Sequence, residues 1–136
     1  ERGVLDRFNI DSAGTGGWHR GNPADPRSIA VAEKHGIQLP SRARRIDPAT
    51  DWDLFAWIIV MDRDNHERVI EEGAPPQRVR LLRSFDDAVG RTHDELLLDS
   101  DGEIPDPYYG ADDGFSAVFR MVFSACEGLL DKLCER

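Results

Sequence analysis

The feature that most limits how this chain can fold is the unbroken apolar run Phe55-Ala-Trp-Ile-Ile-Val-Met61, which stops at Asp62. A short run with no polar alternation predicts a strand covered on both faces. Asp64-Asn-His-Glu67 follows it as a capping-box pattern and predicts a helix to about Glu72, with Gly73 behind it as the stop. Val79-Arg-Leu-Leu82 then reads as a further strand. Upstream, Asn9-Ile-Asp-Ser12 reads as a strand running into the glycine-rich loop Ala13-Gly-Thr-Gly-Gly17, and Asp25-Pro26 with Gly36 brackets a helix over Pro26 to His35. The closing segment sets Phe115, Val118, Phe119, Val122, Cys126, Leu129, Leu130 and Leu133 at helical spacing, as a long amphipathic helix packed on a sheet would. Strands alternating with helices give the α/β class with a parallel sheet. No repeat, low-complexity tract or linker divides residues 1–136, which therefore read as one domain.

Composition narrows the function. A formal net charge of −9 repels phosphate backbones and anionic lipid, so neither nucleic acid nor a membrane surface is the expected partner. The apolar run at Phe55 is well short of a membrane span. Cys126 and Cys134 fall within one predicted helix, too far apart along it to bridge, and a reducing, cytoplasmic setting is expected. Gly14-Thr-Gly-Gly-Trp-His-Arg-Gly21 has the spacing of neither common nucleotide-binding glycine motif. Asp99-Ser-Asp-Gly-Glu103 fails as a calcium loop, since aligning its glycine places Leu97 and Tyr108 at ligand positions. His19, His35, His66 and His93 lack zinc-ligand spacing, so no metal and no cofactor is expected.

The segment Glu103-Ile-Pro-Asp-Pro-Tyr-Tyr-Gly110 is different. Pro105 and Pro107 fix the backbone around Asp106, so the chain aims one carboxylate from a stiff, extended loop. In parallel α/β sheets ligands gather beyond the carboxyl ends of the strands, which is where Ser12, Asp62 and the Asp106 loop are expected.

Taken together, Asp11-Ser-Ala-Gly-Thr-Gly-Gly-Trp-His19, Asp25-Pro-Arg27, Ser41-Arg-Ala-Arg44, Val60-Met-Asp-Arg-Asp-Asn65, Ile104-Pro-Asp-Pro-Tyr-Tyr-Gly110 and a Gly-Phe start to the last helix resemble the low-molecular-weight protein tyrosine phosphatases, above all their bacterial branch. The likeness runs from Glu1 to Leu133. It implies a flavodoxin-like α/β fold in which a cysteine thiolate attacks a phosphotyrosine protein or aryl phosphate and a cysteinyl-phosphate is then released by water. By the same resemblance Asp106 is the general acid, Trp18, Tyr108 and Tyr109 wall the substrate cleft, and Asp62 and Asn65 steady the pocket. An acid in that role needs a pKa above the usual carboxylate range, which aromatic walls and a bound anion both favour.

The chain departs from the family at its defining element. Six residues after Cys126 stands Lys132 rather than arginine, and the chain ends just past Cys134, so neither cysteine opens a Cys-x5-Arg loop. In the family that loop, with the first and central strand, would precede Glu1 and occupy roughly 30 residues. The sequence thus reads as an N-terminally incomplete domain, inactive by itself. Its Asn9 and Ile59 strands are expected to run parallel with a gap near two strand spacings, roughly 10 Å. The alternative is a catalytically dead binding or regulatory module whose open sheet pairs with a partner strand.

Overall fold

The computed structural model describes residues 7–16, 21–99, 101–105 and 112–134. In chain order the elements are α1 (Pro26–Lys34), α2 (Asp51–Leu54), β1 (Ile58–Val60), α3 (Arg63–Glu71), β2 (Val79–Leu81), α4 (His93–Leu96) and α5 (Asp112–Cys134), with single 3₁₀ turns at Pro76–Arg78 and Leu82–Phe85.

β1 and β2 pair in parallel, Ile58 opposite Val79, Ile59 opposite Arg80 and Val60 opposite Leu81. Alternation along the strands sorts the side chains onto two faces. Val60, Val79 and Leu81 face a core built with Trp52, Val69, Ala74 and Leu96, so α2, α3 and α4 cover that side. Ile59 faces the other way, into a second core of Leu82, Ile104 and Ala125 beneath α5. Helix, sheet and helix therefore stack in three layers, and the α/β class with a parallel sheet holds.

The helix ends follow local chemistry. Asp25 caps α1 by accepting from the Arg27 N–H, Pro26 occupies the first turn, and Gly36 takes φ +74° to leave the helix. Gly73, at φ +101°, does the same after α3. α4 carries a full Thr92–Glu95 capping box, a Thr-x-x-Glu signal that the reading of the sequence passed over along with α2. On α5 a glycine lets the helix approach the Leu82–Phe85 turn closely. A Cβ at Gly128 would run into the Phe85 carbonyl, and Ser124 Oγ donates to the buried Asp86 across the same contact at 2.9 Å.

Several expectations need correcting. Asn9–Ser12 forms no strand: Ile10 is 73% exposed, and the Ser12 N–H turns back to Asp11 Oδ1 at 2.8 Å. A strand exists only as a ladder between two backbones, and among the described residues this segment has no ladder partner. The gap expected between parallel Asn9 and Ile59 strands has no counterpart, because only the second strand is formed. The Phe55–Met61 run yields a ladder of only Ile58–Val60, and Met61 is 40% exposed. Its described ladder lies on one edge only, so full burial is not reached. α3 begins earlier than the Asp64 signal suggests, with Asp62 as its cap, because the chain turns directly out of β1; Asp64 pairs instead with Arg68 at 2.9 Å. Cys126 is exposed, and the buried stripe of α5 passes through its neighbour Ala125.

Candidate active site

Of the residues singled out from sequence, Asp62 and Asn65 are described by the structure, whereas Trp18, Asp106, Tyr108 and Tyr109 lie outside the described residues. Asp62 leaves β1 with extended backbone angles and caps α3, its Oδ1 accepting from the Asn65 N–H at 2.7 Å. Asn65 reaches back, its Oδ1 accepting from the Met61 N–H at 3.4 Å. The two side chains thereby brace the turn at the carboxyl end of β1 from both directions.

A second segment arrives at the same turn. The Ile104 N–H donates to the Met61 carbonyl at 2.8 Å, and Ile104 is itself buried in the core under α5. Next to it, Glu103 Oε2 accepts from the Arg63 backbone N–H at 2.9 Å and from Arg63 Nε at 3.3 Å. The first and third N–H groups of α3 are thus satisfied by Glu103 and Asp62, two carboxylates at the positive end of the helix. The chain that leads through Pro105 toward Asp106 is pinned to the strand end one and two residues before the first proline. Sequence reading missed Glu103; a lone glutamate before a proline carries no signal that it will find a helix start forty residues earlier.

The glycine-rich segment is held from another side. Gly14 N–H donates to the Arg44 carbonyl at 2.8 Å and Ile46 N–H returns to the Gly14 carbonyl at 2.9 Å, while Gly21 N–H donates to the Ala43 carbonyl at 2.7 Å. Both flanks of the stretch containing Trp18 therefore rest on the 43–46 backbone. Arg44 gathers the charges there: its Nε meets Asp11 at 3.1 Å, and Nη1 and Nη2 meet the two oxygens of buried Asp51 at 3.0 and 3.3 Å. Asp51 also accepts from the Asp47 N–H at 2.8 Å. Desolvation alone would raise the Asp51 pKa, but the Arg44 hydrogen bond, the Asp47 N–H and the Arg44 charge together outweigh it and hold the carboxyl below its usual range. Arg44 belongs to the Ser41-Arg-Ala-Arg44 stretch noted in the sequence, though nothing there pointed to Asp51 as its partner.

Neither cysteine opens a Cys-x5-Arg loop. For Cys126, desolvation pushes the thiol up, although the residue as a whole is exposed; Cys134 Sγ accepts from Arg7 Nη1 at 3.9 Å. Among the described residues no group of three or more histidines, cysteines and carboxylates could hold a metal, and no helix is long and apolar enough to cross a membrane.

Residues 1–136 match the family model described as low molecular weight phosphotyrosine protein phosphatase. The chain is 42% identical to the low molecular weight protein-tyrosine-phosphatase of Streptomyces coelicolor, an alignment covering 100% of this chain and 79% of that protein. It is 40% identical to low molecular weight protein-tyrosine phosphatase A of Mycobacterium tuberculosis, over 99% of this chain and 77% of the relative. Among solved structures it resembles the protein tyrosine phosphatase of Entamoeba histolytica crystallised with Hepes in the active site, with a TM-score of 0.82 and 32% identity over 97% of this chain and 79% of that one.

Proposed function

The chain belongs to the low-molecular-weight phosphotyrosine protein phosphatases, hydrolases of phosphotyrosine proteins, and from that premise we propose that it supplies the proton-donating side of the reaction through Asp106. Trp18, Tyr108 and Tyr109 form the aromatic walls that admit a phosphotyrosine ring, and Asp62 and Asn65 keep the strand end beneath them in shape. The observation that carries this reading is the pinning of Glu103 and Ile104 to Arg63 and Met61, which delivers the loop entering Asp106 to the carboxyl end of β1. Parallel sheets place reacting groups at that end.

In such a reaction a thiolate takes the phosphoryl group while an acid protonates the departing phenolate, and the same group, now a carboxylate, activates the water that frees the phosphate. Prolines on both sides of Asp106 limit the conformations in which its carboxyl could escape to water. No cysteine within the 136 residues is followed six positions on by arginine, so these residues alone should turn over no aryl phosphate. A missing covalent nucleophile lowers turnover by about 10⁶-fold in enzymes where it has been removed, far more than the roughly 10²–10⁴-fold that a general acid contributes.

The test is an aryl phosphate assay on the 136-residue chain by itself and fused behind a Cys-x5-Arg strand and loop of the family. The short chain should be inactive. The fused enzyme should be active and lose about 10²–10⁴-fold in turnover on Asp106→Asn, with a smaller loss for substrates whose leaving group needs no proton. Turnover by the 136 residues, or an Asp106→Asn enzyme at full rate on a poor leaving group, would overturn the assignment.

A further inference from the structure

Between the C-terminal half of α5 and the outer edge of β2 lies a cavity of about 330 Å³, lined in part by Trp57, Arg80, Ser84, His93, Leu129 and Lys132. None of these residues belongs to the site described above. Arg80 stands between Val79 and Leu81, both at 0% exposure, and alternation sends its side chain to the α5 side of the sheet. There its guanidinium lies 6.0 Å from the Trp57 ring, with Nη1 donating to the Pro76 and Val79 carbonyls at 3.2 and 2.8 Å. Among the described residues no carboxylate pairs with Arg80 or with Lys132.

Two histidines join this cluster. His93 Nδ1 accepts from the Leu81 N–H at 3.0 Å, which puts the proton of the neutral ring on Nε2. His66 lies beside it at 5.3 Å between ring centroids. Desolvation first, and the Arg80 charge second, hold both imidazoles below the usual histidine value; His66 adds to the effect on His93, and Asp94 opposes it. In a chain of net charge −9, Arg80 and Lys132 bring together two positive charges that no described carboxylate pairs. Asp94 and Asp131, sequence neighbours of His93 and Lys132, are the nearest negative charges along the chain. The remaining wall is apolar, from Trp57, Phe85 and Leu129. A bare inorganic anion would leave that wall wet, whereas a flat ring bearing one charge meets both halves of the cavity.

We propose that this cavity binds a small aromatic anion of the carboxylate or sulfonate type, its charge held by Arg80, Lys132 and the His93 Nε2–H and its ring laid against Trp57 and Leu129. The experiment is an NMR titration of the 136-residue chain with naphthalene-2-sulfonate, using the uncharged naphthalene-2-methanol as control and following the Trp57 indole and the His66 and His93 rings. Saturating shifts are expected at all three, with both imidazole pKa values rising in the complex. Arg80→Met should weaken binding about tenfold, as loss of a charge-assisted hydrogen bond does. Since Arg80 lies within β2, Lys132→Gln on the exposed side of α5 provides a second variant, also expected to weaken binding severalfold. Equal affinity for the uncharged analogue, unchanged affinity in Lys132→Gln, or no saturating shift at Trp57 below about 10 mM would overturn the proposal.

Discussion

Between Asp51 and Ile104 the backbone closes a parallel ladder around side chains such as Val79 and Leu81 that expose nothing, whereas between Asn9 and Ile46 the described residues close isolated bridges, Gly14 with Arg45 and Pro23 with Arg42. The first region is held by apolar burial. The second docks on the first mainly through charge, by Arg44 on Asp51 and by Arg45 on Glu72 at 2.8 Å, with Ile46 packed against the core beside them. α1 is the exception within it, anchored on α5 by His35 stacked 4.2 Å from Phe119 and by Arg27 over Phe115. Partly exposed ion pairs contribute little individually, so the glycine-rich segment should open at lower free energy than the sheet. The proposed acid loop leaves from the burial-held region and the Trp18 stretch from the charge-held one.

The largest break in this contrast should come from Leu81→Ala. Leu81 is fully buried in the core that β1, β2 and α3 share, and removing its side chain should cost about 3 kcal/mol, read by denaturant unfolding. Loss should be global, since the charges that hold the other segment, Asp51 and Glu72, sit on elements packed around this core. Asp51→Asn should act differently. It keeps the shape, removes the charge that pairs with Arg44, and should cost about 1–2 kcal/mol. Its signature is regional: hydrogen exchange at the Gly14 and Ile46 amides should quicken while Val79 to Leu81 stay protected. Equal acceleration in both places would show that the two regions are one cooperative unit.

Acid should reproduce that pattern without mutation. The folded Asp51 pKa is depressed, so its contribution is fully present above the pKa of the unfolded carboxyl and is lost as pH falls through the lower, folded value. Amide exchange followed down through the acid range should release Gly14 and Ile46 before the β2 amides, and Asp51→Asn should flatten that dependence. An order of release that stays the same in the variant would assign the acid response to other carboxylates.

What the sequence made legible follows the same division. The parallel pair, the crossover helix and the long final helix were readable because each rests on a local pattern: the apolar run ending at Asp62, Gly73 behind a helix, the stripe through Phe115 and Val118. Asn9–Ser12 was misread because β pattern is local while a ladder needs a second backbone. The Asp62 cap was misplaced by two residues because Asp62-x-x-Asn65 and Asp64-x-x-Glu67 compete for one helix start, and only the end of β1 decides between them. At the candidate site, Asp62 and Asn65 were singled out through resemblance, and the structure shows what they touch. Glu103 and Asp51 were not found, since their partners Arg63 and Arg44 are set by tertiary approach rather than by spacing. Trp18, Asp106, Tyr108 and Tyr109 rest on sequence alone.

The smallest and most local effect sharpens the burial-held side. Asp62→Ala removes the carboxylate that caps α3, a loss of about 1 kcal/mol. Val60, Val79 and Leu81 make their contacts without Asp62, so the ladder should keep its protection, and Gly14 and Ile46 should not respond. The change belongs instead at the turn. Without the cap, the first turn of α3 frays, Arg63 no longer presents its N–H squarely to Glu103, and the Ile104 N–H bonded to the Met61 carbonyl should exchange faster. Because Ile104 is also buried under α5, its protection should fall and not vanish. An Ile104 amide indifferent to Asp62→Ala would mean that apolar burial alone fixes the entrance to the Asp106 loop, and that the bonds at the end of β1 are dispensable for aiming it.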